Sequence, residues 1–278
     1  MRRILVLMTL ALNLAGVLSL AGCATSPTGR SQLMIVPESY AISSSAQAYR
    51  QEITPYARQG KLDDNPATTE RVRTIAARIV AQAVAARPDT RSWQWQVAVL
   101  DDPKTVNAWA MAGGKIAVYT GLIEQIQPTD DELAQVIGHE VGHAIAAHSA
   151  EQMSVALATQ LGVGALAIAT NSPQAATLGA QAAQLGITLP YSRSAETEAD
   201  RIGIELAAKA GYDPRAAVSL WQKMGKASSG NGSPEFLSTH PAPEHREATL
   251  AALVPQMQPY YLQAKNSPPP SYPLARAN

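Results

Sequence analysis

VIGHEVGHAIAAHSAEQ, residues 136–152, places His139, Glu140 and His143 in the middle of a helical stretch rich in Ala and Val. Side chains four apart share one face of a helix, about one turn from each other. His139 and His143 can therefore present two imidazoles to one ion from a frame that loses little entropy. Glu140, beside the first histidine, can reach a water on that ion and accept its proton. A polar face turned to solvent is the competing reading. It has no need of the small neighbours Gly138, Gly142 and Ala146, which leave room for close packing.

Imidazole suits zinc, and a catalytic zinc takes three protein ligands and keeps one position open for water. The spacing is the HExxH arrangement of metalloproteases. His148 lies five residues past His143. In a continuous helix that offset turns it well off the ligand face, so it reads as a surface residue or one that backs a ligand. The motif has no HxxGxxH continuation to supply a third histidine. The better candidate lies in SRSAETEADRIG, residues 192–203, where Glu196 and Asp200 stand four apart. Glu196 is expected to bind the zinc, and Asp200 to accept the outer N–H of a ligating histidine, His139 being the preferred partner. Glu198 falls on another face and is expected in solvent. An ordinary charged helix face is the alternative for this segment.

The chain starts with Met1-Arg2-Arg3, and an apolar run from Ile4 to Leu20 follows. A basic start, a short apolar stretch and small residues after it read as a secretory signal. The run ends in LAGC, residues 20–23, a bacterial lipobox in which Cys23 would receive lipid. A plain membrane span is the weaker alternative, because the run is short for one. Cys23 is the only cysteine, which excludes an internal disulfide. Ala24 follows it rather than the Asp that retains lipoproteins in the inner membrane. The expected location is the periplasmic face of the outer membrane of a Gram-negative bacterium. Formal charge balances at 22 basic and 22 acidic residues with no long basic run, which argues against nucleic acid as a partner.

The expected plan is a signal peptide over 1–22, a polar tether over 23–36, one domain over 37–258 and a Pro-rich disordered tail over 259–278. Helical patterns fill 38–58 and 66–87, the second opened by Pro66. WQWQVAVL, residues 93–100, alternates as a half-buried strand does. TVNAWA and KIAVYT flank Gly113-Gly114 and read as a hairpin. Thr129, Asp130 and Asp131 cap the helix of the opening motif. Residues 153–192 carry no charge; a packed helix pair or a lid over the site fits them better than a membrane span. Further helices are expected from Arg193 to about Ala210, after Asp213-Pro214, and over about 242–254. The fold class is α+β, mostly helical, with a small sheet.

The blocks TGRSQLMIVPE (28–38), NAWAMAGGKIAVYTGLI (107–123), GHEVGHAIAAHSAEQMS (138–154), YSRSAETEADRIG (191–203) and LSTHPAPEHR (237–246) together resemble metallopeptidase family 48. These are gluzincin zinc proteases related to the CAAX prenyl protease. Within the family the chain is most similar to the BepA/LoiP-like periplasmic lipoproteins. The resemblance implies a zincin-like domain with a small β-sheet beside the HExxH helix. It implies one zinc on His139, His143 and Glu196, with Glu140 as general base and polypeptides as substrates. It also puts the histidine of the last block, His240, beside the zinc, as a latch or an oxyanion stabiliser. Only 24 residues follow Val254, so the tetratricopeptide domain of some such proteins is not expected, and the shorter LoiP-like form fits better.

The expected function is a lipid-anchored zinc endopeptidase acting on unfolded or misassembled outer-membrane proteins. Tyr191, His240 and Arg246 are the candidates facing the oxyanion, with Arg246 also expected to support the site from behind, like Asp200. VNAWA (106–110) is either an edge strand that pairs with an extended substrate or an ordinary interior strand. Two rivals are a zinc-stabilised chaperone or scaffold and a glycan-directed zinc hydrolase. The retained Glu140 disfavours the first, since structural zinc closes all four positions and needs no base.

Overall fold

The structure is a computed structural model that describes residues 23–170, 172–184, 189–228, 234–240 and 245–277. The expected signal peptide, residues 229–233 and residues 241–244 after His240 lie outside these residues. Helices predominate, and the sheets are small.

Two short strands open the described chain, β1 (Cys23–Thr25) and β2 (Ser31–Leu33), paired antiparallel. Helix α1 (Glu38–Arg58) follows, then α2 (Pro66–Ala86). Asn65 caps α2 by accepting from the amides of Ala67 and Thr68, and Pro66 sits where a missing N–H costs nothing. A single 3-10 turn over Pro88–Ser92 leads to β3 (Gln96–Leu100). Strands β4 (Ala108–Met111) and β5 (Lys115–Tyr119) then form the hairpin. Gly113 and Gly114 turn it at φ of 82° and 79°, and a Cβ on Gly114 would lie 2.6 Å from the Trp95 ring. Glycine is required there on both counts. The sheet order is β3-β5-β4, with β3 parallel and β4 antiparallel to β5. Among the described strands β4 pairs on one side only.

Helix α3 (Thr120–Ile126) connects to α4 (Asp130–Ile145), which carries His139, Glu140 and His143. Thr129 and Glu132 form a reciprocal capping box at its start. Leu133 and Ile137 on α4 are fully buried, together with Val72, Ile79 and Ile116 of the surrounding elements. Truncating either α4 residue to Ala would cost about 2–5 kcal/mol.

Helix α5 (His148–Thr170) begins after a break at Ala147, whose φ is 56°. It pairs with α6 (Pro173–Ala183), and together they carry the exposed Leu157, Leu161, Leu166, Ile168 and Leu178. Helix α7 (Leu189–Lys209) then returns to the core against α4. Helices α8 (Ala216–Ser228), α9 (Glu235–Thr239) and α10 (Arg246–Asn266) complete the fold.

Both ends depart from the expected plan. Residues 23–36 are no free tether, because β1 and β2 pair and their loop is tied to buried carboxylates. The tail is no disordered segment either. Helix α10 runs to Asn266, twelve residues past the expected end at 254. Beyond it the Tyr272 amide donates to Ala77 at 2.9 Å and the Ala275 amide to Trp95 at 2.9 Å. Pro273, between those two donors, has no N–H to satisfy, so a Pro-rich segment can lie along the edge of β3.

Candidate metal centre

Helices α4 and α7 cross at backbone contact. A Cβ on Gly138 would stand 2.7 Å from the Gly203 carbonyl oxygen, and one on Gly142 3.0 Å from that of Ala199. This closeness lets the short Glu196 side chain reach both histidines of α4. His139 Nε2 lies 3.1 Å from His143 Nε2 and 3.3 Å from Glu196 Oε2. Glu196 Oε1 lies 3.3 Å from His143 Nε2. From the end of α9, His240 Nδ1 lies 3.2 Å from Glu196 Oε1 and 3.3 Å from His139 Nε2.

One ligand atom from each of these four residues falls within 4.8 Å of all the others. Ligand atoms around a tetrahedral zinc with ~2.0–2.1 Å bonds stand ~3.3 Å apart, so the spacing fits the ion. Glu196 Oε2 and Glu140 Oε1 are buried without a hydrogen-bond partner among the described residues. Such atoms are costly unless something else satisfies them. Three nitrogens and a carboxylate are a donor set suited to zinc.

Burial and the neighbouring carboxylates shift the titrating groups of the site in different directions. Burial alone would lower the pKa of His139, but hydrogen bonds to Asp200 and Glu196 outweigh it and carry it to about 9. Burial pushes His143 well below the usual histidine range, which keeps it neutral as a ligand must be. Glu196 is held far below the carboxylate range because its three histidine contacts overcome burial. Burial pushes the Glu140 carboxyl up, making it a stronger base than an exposed glutamate.

Glu140 is anchored by the Ala110 amide, which donates to Oε2 at 3.1 Å, and His240 Nε2 stands 3.3 Å from Oε1. Asp200 Oδ1 accepts from His139 Nδ1 at 2.9 Å and from Arg246 Nη2 at 2.5 Å. The Arg246 guanidinium stacks 3.6 Å from the centre of the Trp221 ring. Arg246 is thus buried against His139, and its Nη1 lies 3.5 Å from Glu196 Oε2. The Tyr191 side chain lies outside the described residues, as does that of Cys23. A cleft of about 500 Å3 opens onto the site, bordered by Trp109, Ala110, Glu140, His143, Glu196 and His240.

The expectation for Glu198 also fails. It is 5% exposed and meets His148, Arg30, Ser26 and Thr28. The helical offset put it on a different face from Glu196, and it is; that face is covered by the β1–β2 loop. His148 is also buried, with Nδ1 2.8 Å from His143 Nδ1. The break at Ala147 swings it back toward the ligand it would have left behind in a continuous helix. The signal for this network was present in the TGRSQ block and in the second carboxylate of AETEAD, but neither segment names its partner.

Residues 66–254 match the profile of Peptidase family M48. The chain is 40% identical to the mitochondrial metalloendopeptidase OMA1 of Arabidopsis thaliana over 171 residues, covering 62% of this chain and 34% of that protein. It is 34% identical to the mitochondrial metalloendopeptidase OMA1 of Schizosaccharomyces pombe over 212 residues, covering 76% and 60%. It is 29% identical to the beta-barrel assembly-enhancing protease of Escherichia coli over 212 residues, covering 73% and 42%. The alignments thus span about a third to three fifths of those relatives' lengths. With that profile running from α2 into α10 and a zinc donor set assembled within it, the chain belongs to peptidase family M48, the zinc metallopeptidases.

Proposed function

We propose that the chain is a zinc-dependent endopeptidase that cuts unfolded or misassembled envelope proteins. We further propose that lipid on Cys23 holds it at the periplasmic face of the outer membrane. The observation that carries the enzymatic reading is Glu140: a buried, proton-hungry carboxylate beside a four-residue donor set, in an open cleft. His139, His143 and Glu196 would hold the ion. Zinc bound there supplies polarisation of a scissile carbonyl and a water acidic enough to ionise near neutral pH. Glu140 takes that water's proton and passes it to the leaving amine. Asp200 keeps the His139 ring oriented, and the Ala110 amide fixes the Glu140 carboxylate.

The free side of β4 supports a peptide substrate. The outward amides of Ala108 and Ala110 already donate to Asn107 Oδ1 and Glu140 Oε2, so an extended chain adding along this edge would pair through the outward carbonyls. Backbone pairing tolerates varied sequences, as a protease of unfolded chains must. His240 supports a latch: its Nδ1 already stands among the ligand atoms, where it would occupy the position that water needs.

For location, the support is the lipobox and the α5–α6 pair. Five large apolar side chains are exposed on that pair, and α5 is long and apolar enough to cross a membrane by length and composition, with 11% of its most apolar window buried. A resting place against lipid suits it. The relatives named for mitochondria and for β-barrel assembly point to different compartments; the bacterial lipobox favours the envelope.

The test is the Glu140→Gln protein, assayed on an unfolded polypeptide with and without chelator. Gln keeps the shape but cannot accept the proton, so zinc stays while cleavage falls by at least ~100-fold. Wild-type cleavage by this variant would sink the reading, and no zinc-dependent cleavage by the unsubstituted protein would favour a zinc-stabilised chaperone.

A further inference from the structure

We propose that the β1–β2 segment next to Cys23 is a working part of the metal centre. In this scheme His148 and Glu198 are positioning residues that orient His143 from behind. The contacts run in one line. Arg30 Nε meets Glu198 Oε2 at 2.6 Å, and the Ser26 and Thr28 hydroxyls donate to Glu198 Oε1. Glu198 Oε2 lies 3.1 Å from His148 Nε2, and His148 Nδ1 lies 2.8 Å from His143 Nδ1.

Hydrogen-bond chemistry sets the direction of this line. An ionised carboxylate only accepts, so His148 Nε2 carries the proton and donates to Glu198. When His148 carries one proton, its lone pair lies on Nδ1, where it accepts from His143 Nδ1–H. That leaves the lone pair of His143 on Nε2, the atom that faces His139 and Glu196. The charge of Glu198 therefore selects the tautomer of two imidazoles in series. His139 is served differently, by Asp200 directly.

The carboxylate end depends on the N-terminal segment. Arg30 also grips Glu151 with both terminal nitrogens, at 2.6 Å each, and Gln32 Nε2 donates to the same carboxylate at 2.9 Å. Without Arg30, two buried glutamates would face each other across its place. Such a pair relaxes by moving apart, which removes the acceptor that holds His148. Groups that orient a metal ligand in this way change metal affinity by about 10–100-fold when lost. Because the segment begins at Cys23, whatever dislodges it also loosens the zinc.

The inference rests on His143 being a zinc ligand, and the experiment separates the two. Zinc dissociation constants of the full chain are measured by competition with a chromophoric chelator, and the visible spectrum of the cobalt-loaded protein is recorded. His148→Phe, Glu198→Gln and Arg30→Met should each weaken zinc about 10–100-fold and shift the cobalt bands. Arg30→Lys, which keeps a cation beside Glu198, should recover part of the loss. Melting of chelator-treated protein identifies any variant that merely unfolds, and His148→Gln replaces His148→Phe if that one does. Wild-type zinc affinity and an unchanged cobalt spectrum in folded Glu198→Gln and His148 variants overturn the proposal. Wild-type zinc affinity in His143→Ala overturns the ligand reading instead.

Discussion

Gly203 of α7 touches His139 of α4 through backbone alone: a Cβ on Gly203 would stand 2.6 Å from the His139 amide nitrogen. Nothing at that contact can yield, because both sides are main chain. The position of Glu196, seven residues earlier on α7, relative to His139 and His143 is set by this contact.

Gly203→Ala should therefore force the two helices apart. The expected cost is about 1–3 kcal/mol, with reduced zinc retention as Glu196 is drawn away. Gly225→Ala is the control, since nothing lies within 4 Å of its Cβ position. Replacing that helical glycine should be neutral or stabilising by up to ~1 kcal/mol. Thermal melts and metal analysis of both proteins decide the point; equal zinc content in the two would remove the helix contact from the account.

His139→Ala, His143→Ala and Glu196→Ala should each lose most of the bound zinc, because three ligands are the minimum for a tight catalytic site. Elemental analysis after gel filtration reads this directly. Full occupancy in Glu196→Ala would reassign the third ligand to His240, the remaining member of the cluster.

His240→Ala distinguishes the latch from the oxyanion role. As a latch, its removal raises basal cleavage of an unfolded substrate several-fold while the other three ligands keep the metal. As an oxyanion donor, its removal lowers cleavage by about 100-fold with zinc retained. Initial rates with parallel zinc analysis separate the two, and no change in either quantity returns His240 to the status of a neighbour.

The capping box of α4 supplies a pH test remote from the metal. Burial would raise the Glu132 pKa, but Lys223 at 2.6 Å, the Thr129 amide and Ser219 together hold it below its ordinary 4.5. A depressed folded pKa means stability that is present above the unfolded value and lost as pH falls through the folded one. Glu132→Gln should cost roughly 1 kcal/mol at pH 7. The difference from wild type should shrink as pH drops below 4.5. Denaturant titrations across pH 3–7 check it, and a pH-independent difference would mean packing rather than charge.

The membrane reading makes two separable claims. Cys23→Ser should release the protein from the membrane fraction, or leave a weak, salt-resistant association. Adding Leu161→Asp and Ile168→Asp should abolish that residual binding to vesicles of neutral lipid in a flotation assay. Full membrane retention of Cys23→Ser with both aspartates would refute the lipid anchor and the apolar helical pair together.

Local spacing was enough to propose the chemistry of this chain. Two imidazoles four residues apart, Glu196 and Asp200 four apart, the Thr129–Glu132 box and the Gly113-Gly114 turn all act within one or two helical turns or a single hairpin. In such cases residue type and offset decide which atoms meet. What the offsets could not say is which segment covers each face. Glu198 was read as solvated because its face differs from that of Glu196, yet the β1–β2 loop brings Arg30 to it from 168 positions away in sequence. His148 was turned from the ligands by helical arithmetic, which holds until Ala147 leaves the helix at φ 56°. The Pro-rich end looked unable to order, but Ala77 and Trp95 offer carbonyls to the amides of Tyr272 and Ala275. Spacing encodes direction relative to an element's own axis; burial, partner and register come from contacts between distant elements, and those only packing decides.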